Sequence, residues 1–332
     1  MAVADQRYVC TGANLIAIAD AIRAKAKTSE EMTLAKMALS VQNLASIEKV
    51  GEGDYFWGFY ADQGLANAIT DAEAAVAMIN GQRVYASFKT LINPARVSWV
   101  TSTEAEIQAA VEAAWAFGID LSKYWSVGDS RTINISAMSA TGVGESHAAQ
   151  TAEVVLMDMA PNYTTTDGKT PKLLWGLKNS LKETGYMNSS NTNSGGWSSC
   201  ARRTWCNNVF YPALPSFLRN ITKTVNVVAA NGSSTTTATS QDKCFLLAEK
   251  EIFGGVTYAN STAEASLRQV PYYADANNRI KKLGTTGSAD FWWERSPRSG
   301  GSNYFCNVNS DGTANNNNAS NTNGLAPCGY LS

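Results

Sequence analysis

The alternation of apolar and polar positions changes character near residue 120. Upstream, apolar residues recur at helical spacing. Leu15, Ile18, Ala19, Ile22 and Ala26 form one stripe after a cap-like Thr11-Gly12-Ala13-Asn14, and Met37, Val41 and Leu44 form a second. The spacing predicts two helices over 11–47, a pair too small for a core of its own. Their stripe either packs on the domain that follows or joins a neighbouring chain. Two aromatic or β-branched runs, 54–60 and 84–88, read as strands, and 71–79 reads as a helix. The run Tyr55 to Tyr60 suits a core strand better than an exposed sugar platform. A further helix is predicted from Thr101-Ser102-Thr103-Glu104 through Ile107, Val111, Ala114, Trp115 and Phe117, stopping at Gly118. Hydroxyl caps and first-turn acids mark its start, and glycine marks its end.

From Leu121 onward, short strands, Gly/Asn/Ser/Thr turns and tryptophans dominate. Strands are predicted at 133–136, 153–157 and 245–248. Helices are predicted at 173–181, 198–208 and 209–220, with Pro212 and Pro215 at the joints of the last two. Trp197, Trp205, Trp292 and Trp293 are expected to build a core around irregular loops. The polar loop Asn188 to Gly196 is expected to border the C-terminal surface. The expected organisation is a helical docking or oligomerisation segment (1–48), a small mixed α/β region (49–120) and a larger domain (121–332).

The final stretch of that domain carries the strongest signal. It opens on Phe291-Trp292-Trp293-Glu294-Arg295-Ser296-Pro297, runs through asparagines to Asn315-Asn316-Asn317-Asn318, and closes on Gly324-Leu325-Ala326-Pro327. Asparagine tracts favour disorder, whereas aromatic and Gly/Pro brackets favour ordered turns. A displayed surface held at both ends by packed residues reconciles the two. Asparagine, serine and tyrosine on a firm scaffold make adaptable hydrogen-bonding surfaces.

Composition removes several function classes. The 332 residues are 44% hydrophobic and 17% charged, with net charge −1, so no basic field points to nucleic acid. No apolar run approaches the roughly twenty residues of a membrane helix, so no membrane insertion is expected. The first residues lack a signal-peptide apolar segment, and folding in a cytoplasm is expected. The six cysteines show no C-x-x-C spacing and stand with one histidine, so no metal site is expected. Buried thiols are the expected state, with Cys306 and Cys328 the pair that neighbouring C-terminal strands would bring together. Cys200 and Cys206 flank Ala201–Trp205, where packing is favoured over a redox or copper role. Glu145, Ser146 and His147 are adjacent in a loop expected to be solvated, since adjacent side chains rarely converge on one reacting atom. No nucleotide-binding or nucleophile-elbow motif occurs, and no catalytic residue or cofactor is expected.

Tyr186-Met187-Asn188, Gly195-Gly196-Trp197, Arg203-Thr204-Trp205, Leu214-Pro215, Lys243 to Leu247 and Glu251 to Gly254 resemble, in order, a bacterial and phage domain of uncharacterised function. Trp292-Trp293-Glu294-Arg295-Ser296-Pro297 and Gly324-Leu325-Ala326-Pro327 resemble its two C-terminal signatures. The resemblance spans roughly 124–332. Leu15 to Lys27 is similar to a helical segment of tail proteins from phages of Gram-positive bacteria. The C-terminal stretch also resembles the variable region of proteins diversified by retroelements, whose fold is similar to C-type lectins and formylglycine-generating enzymes. In that family template adenines are mutated during reverse transcription. Asparagine codons, AAC or AAT, then reach most amino-acid types, and AAC never reaches a stop.

The resemblance implies an α+β protein with a C-type-lectin-like domain and a variable region over about 292–332. It implies a non-enzymatic host-attachment protein of a phage tail, located on the virion. Its implied partners are a bacterial cell-surface protein or glycan, other tail proteins and copies of itself, trimers being common among tail appendages. Framework positions would be Trp292, Trp293, Arg295, Pro297, Gly324 and Pro327. Displayed positions would be Glu294, Arg298, Ser302, Asn303, Tyr304, Asn307, Asn309, Asp311, Asn315, Asn316, Asn317, Asn318, Ser320, Asn321 and Asn323. Glu294 departs from a position often apolar in such signatures, which marks it as a variable or surface site. Calcium-lectin motifs and the catalytic cysteine pair of formylglycine-generating enzymes have no counterpart here. The alternatives are a static carbohydrate-binding virion protein and a glycan-acting or cysteine-dependent enzyme.

Overall fold

Aromatic and β-branched runs set the strands of the N-terminal unit. A computed structural model of the protein describes residues 6–10, 53–61, 67–69, 84–91, 96–117, 119–140, 145–160, 163–166 and 173–331. The helices expected over 11–47 and 71–79 lie outside these residues. The chain divides into two units, Met1–Val97 with Thr103–Ile119, and Ser98–Ser102 with Asp120–Ser332. The first holds an antiparallel sheet of β1 (Gln6–Cys10), β2 (Gly53–Tyr60), β3 (Ala68–Ile69) and β4 (Val84–Leu91), in the order β1-β4-β2-β3. Helix α1 (Glu104–Phe117) starts as its sequence predicts. Thr103 Oγ1 accepts the Glu106 N–H at 3.3 Å, and Glu106 returns a carboxylate oxygen to the Thr103 N–H at 2.8 Å. Each side chain satisfies a donor that the first helical turn leaves open.

In the second unit β5 (Ser130–Ile135) and β6 (Gln150–Asp158) fall where the sequence predicts strands. The expected helix at 173–181 is instead β7 (Leu173–Leu177). Every residue of Leu-Leu-Trp-Gly-Leu is buried, and an unbroken apolar run of that length carries no period to separate strand from helix. The two helices expected over 198–220 are a chain of short turns. They are α2 (Gly196–Ser199), α3 (Ala201–Trp205), a π-helical turn (Cys206–Phe210), α4 (Tyr211–Ala213) and α5 (Ser216–Ile221). Pro212 and Pro215 mark the last two joints, because proline ends one turn and fits the start of the next.

Then follow β8 (Thr222–Lys223) and the hairpin of β9 (Val225–Ala230) with β10 (Thr237–Asp242). The strand expected at 245–248 is buried irregular chain with one bridge, Phe245 to Cys328, before α6 (Glu249–Phe253). Strands β11 (Trp292–Pro297), β12 (Tyr304–Val308) and β13 (Ala314–Asn318) form an antiparallel sheet, and β14 (Cys328–Leu331) ends the unit. β14 returns to the sheet begun by β5, in the order β5-β6-β7-β14-β8. Cys306 and Cys328 therefore belong to different sheets, and Cys200, Cys206, Cys244, Cys306 and Cys328 are free thiols. The chain is a mixed α/β protein, mostly sheet with a few short helices. Trp197, Trp205, Trp292 and Trp293 are buried in its core.

Candidate ligand-binding surface

β11 is the frame on which the C-terminal surface is hung, and every residue in it is buried. The Trp292 indole donates to the Arg279 carbonyl at 2.8 Å, and the Trp293 indole to the Gly185 carbonyl at 2.7 Å. Large apolar rings thus carry their one polar group to a partner. Behind Trp292 lies Lys281, its ammonium 5.1 Å from the ring centre and donating to the Leu177 and Lys178 carbonyls. Arg295 Nη1 meets Glu251 at 2.5 Å and the Leu246 carbonyl at 2.9 Å, and Nη2 bonds the Tyr163 hydroxyl. Tyr163 in turn donates to Glu251 at 2.9 Å. Burial opposes the Arg295 charge, but Glu251 and Tyr163 beside it outweigh burial and keep the guanidinium a firm cation. Gly324 closes the frame. A Cβ there would stand 2.6 Å from Ser180 Oγ and 3.0 Å from the Phe291 carbonyl, so the close pass of 324 along β11 requires glycine. The six expected framework residues are all buried.

Three residues expected on the surface are not there. Glu294 is wholly buried, and neither carboxylate oxygen has a hydrogen-bond partner. Burial, then the nearby Glu249 and Glu264, push its carboxyl well above the usual range. Its place in β11 explains this, for α6 and the 258–264 segment cover that strand. Ser296 joins them by bonding Glu264 and accepting the Glu249 N–H. Asn307 is buried because β12 is the central strand, paired on both edges. Asn323 is buried because its backbone exchanges hydrogen bonds with Gly185 at 2.9 and 3.0 Å.

The asparagine tract is the edge strand β13, half-buried throughout. Opposed residues share a face, so register sorts the four asparagines. Asn315 and Asn317 lie opposite Asn307 and Phe305, whereas Asn316 and Asn318 lie opposite Cys306 and Tyr304. The first pair is spent on the fold. Asn315 Oδ1 accepts the Asn316 N–H at 2.8 Å, and its Nδ2 donates to Asn309 at 2.7 Å. Asn317 Oδ1 accepts the Asn318 N–H at 2.9 Å and the Asn321 amide at 2.6 Å, while its Nδ2 reaches Asn323. The second pair is open. Asn316 makes no side-chain hydrogen bond among the described residues, and Asn318 offers only Oδ1, to Asn191 at 3.1 Å.

The open side continues into two loops. Asn193 donates to the Gly301 and Tyr304 carbonyls at 2.6 and 2.8 Å, and its N–H bonds the Ser302 carbonyl at 2.7 Å. The loop 188–196 therefore does border the C-terminal surface. Ser302 and Asn303 are exposed and Tyr304 is half-buried, with the Arg298 guanidinium 5.2 Å from its ring centre. Ser320 and Asn321 are exposed at the far end of β13, and Asp311 is exposed in the turn before it.

Chemistry elsewhere in the unit is enclosed. His147 is buried rather than solvated, against Trp205 with ring centres 5.2 Å apart, and Nδ1 stands 3.4 Å from Glu183. Burial lowers its pKa. Ser146 Oγ accepts the Ala140 N–H instead of facing the imidazole. Cys200 donates to the Met187 carbonyl, and burial pushes its thiol up to about 11; Cys206 is pushed up by the same cause. Among the described residues no group of histidine, cysteine, aspartate or glutamate is arranged to hold a metal. None of the described helices is long and apolar enough to cross a membrane. Of the partners of Arg295 and Ser296, Tyr163 and Glu264 have no signal in the sequence, while Glu251 stands in the Glu251 to Gly254 run of the resemblance but is not singled out there as a site residue. Glu251 also stands three residues into α6 and caps the Ala248 N–H.

Residues 173–332 match a family model described as a domain of unknown function (DUF6273). The match begins at β7 and so leaves out β5 and β6, the strands that complete the same sheet. Comparison with curated proteins finds no match, and comparison with solved structures finds none either.

Proposed function

We propose that residues 121–332 form a non-enzymatic ligand-binding domain of C-type-lectin-like fold, in a chain that serves as a phage-tail host-attachment protein. One observation carries the reading. The asparagine tract is divided by register into Asn315 and Asn317, whose amides bond neighbouring residues of the fold, and Asn316 and Asn318, left with open amide groups beside Tyr304, Asn303 and Ser302. A rigid strand thus presents amides, hydroxyls and one tyrosine that the fold does not consume, which is the chemistry of an adaptable paratope. The return of the C-terminal strand β14 beside β7, after a long excursion carrying the three-stranded sheet, supports the lectin-like reading. The buried, proton-bound thiols support a binding role over cysteine catalysis.

The ligand is a protein or glycan of the bacterial surface, and the N-terminal region docks to other tail proteins or to copies of the chain. Multivalent display then converts weak single sites into useful avidity. The open positions are those at which asparagine codons of a retroelement template can change without cost to the fold. The test combines Tyr304→Ala, Asn316→Ala and Asn318→Ala in the full chain carrying a fluorescent label. Adsorption to host cells is lost and the melting temperature is retained. Retained adsorption, or unfolding as the sole cause of its loss, overturns the reading. Genome sequence adds a second check. Adenine-derived differences between a nearby repeat and this gene fall at codons 316 and 318 and spare 307 and 323.

A further inference from the structure

Resting on the binding reading above, we infer that Arg298 anchors an anionic group of the ligand, a carboxylate or a phosphate. The surface it belongs to is otherwise almost uncharged. Across 186–199 and 298–331 the charged side chains are Arg298 and Asp311, and Asp311 is held in the turn before β13 by the Thr313 N–H and hydroxyl; the remainder are amides, hydroxyls, small residues and apolar groups. Arg298 makes no ion pair and no side-chain hydrogen bond among the described residues, so its five donors are unspent. Its position is nevertheless fixed. The backbone N–H of Arg298 donates to the Tyr304 carbonyl at 3.0 Å, which closes the hairpin between β11 and β12. The guanidinium then lies over the Tyr304 ring. Gly301 leaves the room for this: a Cβ there would stand 3.1 Å from Tyr304 Cδ2 and 3.5 Å from Arg298 Cδ.

A planar guanidinium held on an aromatic face loses little freedom on binding, and its fork fits two oxygens of a carboxylate or phosphate at once. The neighbouring groups are donors as well. Asn318 lies directly opposite Tyr304, and Asn191 occupies its Oδ1, which leaves the Asn318 NH2 free. A sparsely charged surface that keeps one unpaired, pre-placed cation with the Asn318 amide donor nearby selects a ligand with a negative charge at that point.

The test follows the Arg298 Nε–Hε cross-peak of the isotopically labelled full chain, assigned by its loss in Arg298→Lys. The protein is titrated with sodium phosphate, sodium acetate and sodium chloride at matched ionic strength. A saturable shift with phosphate or acetate, absent with chloride, is expected, and the stronger of the two arms names the anion. Tyr304→Leu weakens that affinity about three- to fivefold, the share of an exposed cation–π contact. A shift no larger than that of chloride with both anions overturns the inference. That failure is separate from failure of the binding reading, which is decided by cell adsorption of the Tyr304, Asn316 and Asn318 variant.

Discussion

Asn317 Oδ1 accepts the backbone N–H of Asn318 at 2.9 Å, a group that an edge strand would otherwise offer to another chain. Asn315 does the same for Asn316 at 2.8 Å. Exposed edges recruit foreign strands unless they are blunted. Here the tract blunts itself through alternate residues, Asn315 and Asn317.

Asn317 is therefore the position in the tract where stability is most at stake. Asn317→Ala removes the acceptor for Asn318 and Asn321 and the donor to Asn323. Net contributions of about 0.5–1.5 kcal/mol per hydrogen bond, reduced by partial exposure, give a loss of about 1–2 kcal/mol. Asn316→Ala breaks no side-chain bond and stays within about 0.5 kcal/mol of the parent. Urea denaturation of the two variants checks the contrast. Light scattering checks a second expectation, that Asn315→Ala with Asn317→Ala associates more readily because two edge donors are uncovered.

Arg295 carries the largest single stake in the frame. Both it and Glu251 are wholly buried, and Tyr163 bonds to each. Removing one member of such a pair strands a charge in the core and costs about 3–5 kcal/mol. Arg295→Met is expected to lower stability by that amount. Arg295→Met combined with Glu251→Leu recovers a large part of it, since neither charge is left. A double-mutant cycle in urea measures the recovery, and simple additivity would show that the pair is not coupled.

β6 was legible by its β-branched Val154-Val155 run, and periodicity made α1 and β5 legible, because each has one face buried and the other polar. It failed for Leu173–Leu177, where β6 on one edge and β14 on the other enclose a strand with no polar face. It failed again for 198–220, where prolines and a π turn break the chain faster than a helical period can register. At the surface, the residues of the signature Trp-Trp-x-Arg-Ser-Pro are all buried in β11. Glu294 misled because charge alone suggests solvent, whereas its burial depends on segments 30 to 45 residues away in sequence. The split of the tract into bonded and open asparagines depends on register with β12, which identical neighbouring residues cannot encode by themselves.

Glu294 gives the domain an acid-favouring term in its stability. Burial and two neighbouring acids raise its folded pKa well above the value of 4.5 it has when exposed. Between those two values the unfolded chain gives up a proton that the folded chain keeps, so stability falls as pH rises from about 4.5. Glu249 and Glu264 shift the same way, chiefly through burial. Glu294→Gln removes its own part of the slope. The variant is expected to match the parent near pH 4 and to melt higher at pH 8, and equal melting temperatures at both pH values would count against a buried, proton-bound Glu294.

Lys281 works in the opposite sense at higher pH. Burial pushes its ammonium down to about 7 from 10.5, despite two carbonyl acceptors at 2.7 and 2.8 Å. Between about 7 and 10.5 the unfolded chain holds a proton that the folded chain lacks, so stability from this group rises with pH across that window and is lost as pH falls through it. Lys281→Met keeps the aliphatic packing against Trp292 and Tyr273 but leaves the Leu177 and Lys178 carbonyls without their donor. That variant starts lower at pH 10 and loses the rise between pH 7 and 10 that the parent shows. Melting curves at half-unit pH steps separate the two effects, because the lost donor lowers every curve equally while the lost proton linkage changes only the slope.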